Sequence, residues 1–124
     1  MHQIIKKINW AVWCFLIAGS AQASDTFIAT NSKSFEKLMD EAMMRMHQEM
    51  GEATLNKNPD HDFVTQMIPH HQGAIDMAKV LLLYGKDQTL RNLAQQIITD
   101  QQTEINLMNV WLTHHPDTVK EKTK

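Results

Sequence analysis

The sequence predicts an all-α fold, an up-down bundle of three main helices at about residues 35–50, 59–84 and 87–113. Apolar residues in these stretches recur at steps of three and four, the spacing that lines one face of a helix. Each stretch opens on a residue suited to capping free backbone N–H groups. No segment alternates with the period of a strand, and no internal repeat is present. A chain of 124 residues is one domain at most.

Residues 1–23 read as a secretion signal. Lys6 and Lys7 give a basic start, an apolar run follows from Ile8 to Ala18, and Ala21-Gln22-Ala23 is a small-x-small cleavage pattern. The run is shorter than the roughly 20 apolar residues that span a bilayer, so no stable membrane anchor is expected after cleavage. Of the 12 basic and 14 acidic residues, two basic ones lie in this segment, and its removal takes the formal charge from −2 to −4. A mildly acidic chain argues against nucleic-acid binding, which calls for a basic surface. Cys14, the only cysteine, leaves with the signal. The remainder has neither a disulfide nor thiolate chemistry, so its fold must rest on a core or on association.

Residues 24–33 form a polar, aperiodic lead-in, expected to be mobile. The helical domain spans 34–116, beginning with Ser34 as N-cap and Glu36 in the first turn. Helix one carries the stripe Phe35, Leu38, Met39, Ala42, Met43, Met46 and Met50, and Gly51 offers a stop. Helix two opens on Asn58-Pro59, a cap followed by proline at the first helical position. Asp60 and Asp62 suit its positive end, and Gly85 ends it. Pro69 lies in the middle and either kinks the helix or marks a restart, because proline lacks an N–H and crowds the preceding turn. Helix three opens on Asp87 and presents Leu90, Leu93, Ala94, Ile97, Ile98, Ile105, Met108, Trp111 and Leu112 along one face, closing at His114-His115-Pro116. A charged tail occupies 117–124.

Methionine is the unusual residue. Eight of nine follow residue 23, beside only nine leucines and six histidines. Met43, Met46, His47 and Met50 share a helical face, since residues three and four apart are neighbours. Thioethers are soft ligands suited to Cu(I), and imidazole accepts Cu(I) or Cu(II). A methionine stripe is also good core filling, and the two readings stand about level for this cluster. A second cluster joins Met67, His70 and His71, with Met77 returning to the face of His70 seven residues on. A third holds Gln101, Glu104, Met108 and Trp111, where Gln101 and Glu104 could support a ligating histidine, because such a histidine donates its other N–H to a carboxylate or carbonyl. The plainer reading of Trp111 is core, and of His61, His114 and His115 is capping or incidental placement. No Glu-x-x-His, no His-Glu-x-x-His and no Gly-x-Ser-x-Gly occurs, which leaves di-iron carboxylate, zincin and hydrolase patterns unfilled.

The runs from Asp62 to Ala78, containing Met67-Ile68-Pro69-His70-His71, and from Gln101 to Leu112 resemble a bacterial family of exported ferritin-like helical proteins. That family has long been known as a domain of unknown function, and its member CopM is a periplasmic copper-binding protein. The resemblance covers about Phe35 to Leu112. It implies a ferritin-like helical bundle, copper held by methionine and histidine, and a role in copper tolerance. By position it points to Met43, Met46, His47, Met50, Met67, His70, His71, Met77 and Met108.

The expected function is therefore periplasmic copper binding, of Cu(I) or Ag(I) and also Cu(II), for sequestration, tolerance or trafficking, with no catalysis required. Copper-trafficking proteins and a second copy of the chain are the expected partners. The alternative is a metal-independent interaction or adaptor bundle using a methionine-rich partner surface. A copper or iron oxidase built on His70 and His71 is a third reading, disfavoured by the missing carboxylate ligands.

Overall fold

The computed structural model describes residues 26–116. The expected signal segment and charged tail lie outside the described residues. Three helices, α1 (Phe35–Glu52), α2 (Pro59–Tyr84) and α3 (Gln88–His114), account for most of the described chain.

Each helix starts where its side-chain chemistry allows. Ser34 Oγ accepts from Lys37 N at 3.3 Å, Asn58 Oδ1 from Asp60 N at 3.0 Å, and Asp87 Oδ1 from Leu90 N at 2.9 Å. Each contact satisfies an N–H that has no partner inside the helix. The loop before α2 is held by Asp62, which accepts from Asn56 N at 2.8 Å and Lys57 N at 3.1 Å. These bonds fix Lys57 in the left-handed region at φ 69°. The bond from Asn56 N leads in holding the Asp62 carboxyl below its ordinary value, with help from His61 and Lys57 N against the opposing effect of burial.

α2 is the central element. α1 packs on it and α3 packs on it, while α1 and α3 do not pack on one another. Both pairs are antiparallel. At one end of α1, Phe35 meets Tyr84 edge-on, with ring centroids 6.1 Å apart, and Tyr84 Oη donates to the Lys33 carbonyl. On the α3 side, Arg91 Nη1 donates to the carbonyls of Leu82 at 2.6 Å and Gly85 at 2.9 Å, closing the short 85–87 turn. Pro69 sits within a continuous α2 and is buried, so no restart occurs there.

The core between α1 and α2 is built from Leu38, Ala42 and Val80, with Phe27 inserted from the lead-in and Met39, Met77 and Tyr84 at its margin. Burying a side chain such as Leu38 or Val80 contributes about 1.5–3 kcal/mol. The polar lead-in is thus anchored by its one aromatic residue, a contact that no periodicity announces. Two other expectations are corrected. α1 runs through Gly51 to Glu52, because Gly51 does not adopt the left-handed conformation that ends a helix. Leu90 and Leu93, placed on the apolar face of helix three, are 48% and 50% exposed. Among the described residues α3 has a single helical neighbour, and one neighbour cannot cover so wide a stripe.

Candidate metal centre

Two seams flank α2. Pro69, Gly73, Asp76 and Val80 are buried at steps of four, three and four, and line the seam with α1. The opposite flank buries Val64, His71, Ile75 and Ala78 toward α3. At about 100° per residue, the surface between the seams carries Phe63, Met67, His70, Ala74 and Met77. Phe63 and His70 are exposed there, and Met67, Ala74 and Met77 are half-buried. Since α1 and α3 lie on opposite flanks, this surface is left open among the described residues.

Gly73 sets the register of the α1 seam. A Cβ on Gly73 would fall 2.7 Å from the Cβ, Cγ and Sδ of Met46, so Met46 lies directly on the α2 backbone, where only glycine leaves room. Together with Phe35 on Tyr84, this contact fixes an antiparallel register in which Met50 comes level with Pro69 and His70, and Met43 with Asp76 and Met77. On the α1 wheel, Met39, Met43, Met46 and Met50 fall on the flank away from Arg45, the flank that faces the open surface of α2. His47 is exposed at its outer edge.

On the other side, His71 Nε2 is 2.6 Å from Glu104 Oε2. That pair brings Met108, one turn further along α3, level with Met67, one turn back along α2. Met108 is half-buried, and it lies with Glu104 and Trp111 on the flank of α3 nearest the open surface. By register and helical wheel, Met43, Met46, Met50, Met67, His70, Met77 and Met108 are thus assigned to one side of the three helices, where successive turns of a helix are about 5.4 Å apart. His47 stands at the margin. Met77 is partly committed to packing against the α1–α2 core.

His71 does not join that surface. It is 9% exposed and turned into the α3 seam, while His70, its neighbour, faces out. The two rings meet edge-on with centroids 6.0 Å apart. His71 Nδ1 is buried without a hydrogen-bond partner, and so is Gln101 Oε1, one turn from Glu104. The remaining histidines have structural settings. His61 is buried at the start of α2, 3.4 Å from Asp62 through Nδ1. His115 stacks on Trp111 at 4.2 Å and donates from Nδ1 to the Trp111 carbonyl at 2.8 Å.

Among the described residues, no three His, Asp or Glu side chains converge as a metal-ligand group. A metal held here would have methionine sulfur and imidazole as its available soft donors. Thioether and imidazole donors at an open surface fit a soft ion such as Cu(I) or Ag(I), and an orphaned buried imidazole nitrogen fits a cation as its missing partner. On the far side of the α1–α2 seam, Asp76 is 2% exposed, accepts from Gln72 Nε2 at 3.0 Å and lies 3.6 Å from Lys79 Nζ. Burial pushes its carboxyl above the ordinary value, against the pull of Gln72, Lys79 and Arg45. It borders a cavity of about 230 Å³ with Phe27, Arg45 and Glu49. Asp76 and Gly73 are the residues that sequence reasoning missed. Their only signal was a glycine and an acid on the otherwise small or apolar flank of α2.

Fold and surface together define a small all-α protein with a methionine- and histidine-lined open face. Residues 13–112 match the family described as Domain of unknown function (DUF305), and the chain belongs to that family. A stretch of 50 residues is 46% identical to Uncharacterized protein L153 of Acanthamoeba polyphaga mimivirus. The match takes in 40% of this chain and 33% of the viral protein, so the chain spans about a third of that relative's length.

Proposed function

We propose that the chain is an exported, periplasmic copper-binding protein that takes up Cu(I) or Ag(I), and Cu(II) through its histidines, for copper sequestration, tolerance or trafficking. The observation that carries this reading is the alignment of Met43, Met46, Met50, Met67, His70 and Met108 along one open side of the helix layer. These residues come from three separate helices, so periodicity within any one helix does not account for their falling on one side. Methionine does not titrate, and a site dominated by sulfur keeps its affinity at mildly acidic pH better than one built on imidazole. The order of basic start, apolar run and small-residue site in residues 1–23 supports the periplasmic setting.

An anaerobic Cu(I) titration of the chain against a competing chelator, with metal counted per chain, tests the proposal. Tight uptake of one or more Cu(I) supports it, and only weak background binding overturns it.

One observation favours a second reading. Phe63 is 61% exposed on the same surface, and Leu90 and Leu93 are half exposed on α3. Methionine-rich apolar faces are adaptable protein-binding surfaces, and here the partner would be a second copy or an adaptor target. Self-association that persists in a strong copper chelator, without copper affinity, supports this reading over the first.

A further inference from the structure

We propose that His71 ligates metal through Nδ1, and that Glu104 is the positioning residue that leaves this nitrogen bare. The inference rests on the copper-binding reading and deepens it.

The argument begins with the hydrogen bond. Glu104 Oε2 lies 2.6 Å from His71 Nε2. A carboxylate oxygen accepts, so Nε2 carries the hydrogen. In the neutral ring the other nitrogen, Nδ1, is then a lone-pair acceptor. Which imidazole nitrogen takes a metal is set by the hydrogen bond the other makes. In most free histidines both tautomers are open, whereas here one is selected by a residue on another helix.

The second observation is the state of Nδ1 itself. It is buried and has no hydrogen-bond partner, and leaving a buried polar atom unpaired is costly. Such an atom is accounted for by strain, by a chemical role, or by a bound water or ion. In the same seam Gln101 Oε1 is also buried and unpaired. Both orphans are acceptors, so whatever satisfies them presents a hydrogen or a positive charge. An anion or an apolar ligand would satisfy neither.

The consequence is a division of labour within His70-His71. His70 is exposed on the open methionine surface, where either nitrogen is accessible. His71 offers one nitrogen only, from inside the α2–α3 seam, with its ring held by Glu104. A metal ion reaching Nδ1 is bound inside the α2–α3 seam rather than out in solvent.

The test is a long-range proton–nitrogen NMR spectrum of the imidazole nitrogens in the ¹⁵N-labelled chain, first metal-free and then with Ag(I). The metal-free protein is expected to show His71 as the Nε2–H tautomer. Ag(I) is expected to shift Nδ1 while Nε2 keeps its hydrogen. Glu104→Ala should mix the tautomers and weaken Ag(I) affinity about 10–100-fold, the usual effect of losing a partner of a metal-bound histidine. Glu104→Gln, whose amide oxygen still accepts from Nε2, should restore the tautomer and most of the affinity. The Glu104 side chain is 55% exposed, so both variants should keep the helical circular dichroism of the parent. An Nδ1–H tautomer, an Ag(I) shift at Nε2, or an Ag(I)-loaded chain with His71 undisturbed overturns the inference and leaves copper binding standing. No Ag(I) uptake at all overturns both.

Discussion

Replacing Gly73 by alanine should destabilise the protein, although the same exchange inside a helix is normally favourable. The added Cβ would lie 2.7 Å from three atoms of Met46. Two of them, Cβ and Cγ, are close to the α1 backbone and cannot swing aside, so the α1–α2 seam must open. Overpacking of this kind costs about 1–3 kcal/mol, and three simultaneous close contacts place the cost near 3 kcal/mol. The gain from alanine over glycine in a helix is about 1 kcal/mol. The net loss is about 2 kcal/mol, which lowers Tm by about 8–16 °C for a domain of this size. Gly51→Ala is the internal control. Nothing lies within 4 Å of its Cβ position and the residue is within α1, so it should gain about 0.5–1 kcal/mol. Thermal unfolding followed by far-UV circular dichroism reads both. Equal upward shifts for the two variants would refute the placement of Met46 on Gly73, and with it the register that aligns Met50 with His70.

Two further substitutions probe the same half of the molecule. Phe27→Ala removes an aromatic residue that is 8% exposed in the core and should cost about 3–5 kcal/mol, read as a lowered urea midpoint. A change within ±0.5 kcal/mol would show that the lead-in is not anchored. Asp76, whose carboxyl burial raises above the ordinary 3.8, contributes stability that is fully present below the unfolded value and is lost as pH rises through the folded one. Asp76→Asn keeps an acceptor for Gln72 and should flatten that fall, leaving the variant more stable than the parent at neutral pH in a series of melts across pH. A parent and variant with parallel pH profiles would contradict the assigned cause.

The sequence was informative where the determinant is local. Ser34, Asn58 and Asp87 each cap the helix they were expected to cap, because capping depends on one side chain and the next three residues. It was less informative where the determinant is the number of neighbours. The stripe of α3 correctly names Ala94 and Ile105 as buried, but it cannot report that α1 stays on the far flank and leaves Leu90 and Leu93 in solvent. His70 and His71 show the same limit at the candidate site. They differ by 100° around α2, and only the position of α3 decides which turns inward. Glu104 was legible as a histidine partner, though not which histidine it holds. Gly73 was invisible as a contact, since its role depends on a methionine 27 positions earlier.

The methionines pose the sharpest question, because methionine serves equally well as core filling and as a ligand. Leucine separates the two roles. Methionine-to-leucine exchange conserves volume and usually costs less than 1.5 kcal/mol, while it removes the thioether sulfur. If the stripe is packing, then Met46→Leu, Met50→Leu, Met67→Leu and Met108→Leu should each leave both stability and metal affinity near the parent. If it is a ligand array, each should leave Tm within a few degrees and weaken Cu(I) binding in the chelator competition. Met44, 59% exposed and off the stripe, serves as the reference, and Met44→Leu should change neither quantity. Met77, which packs against the core, should move stability more than affinity. Uniform indifference to leucine at Met50, Met67 and Met108 would remove sulfur ligation from the account and leave the open face as an apolar surface awaiting a protein partner.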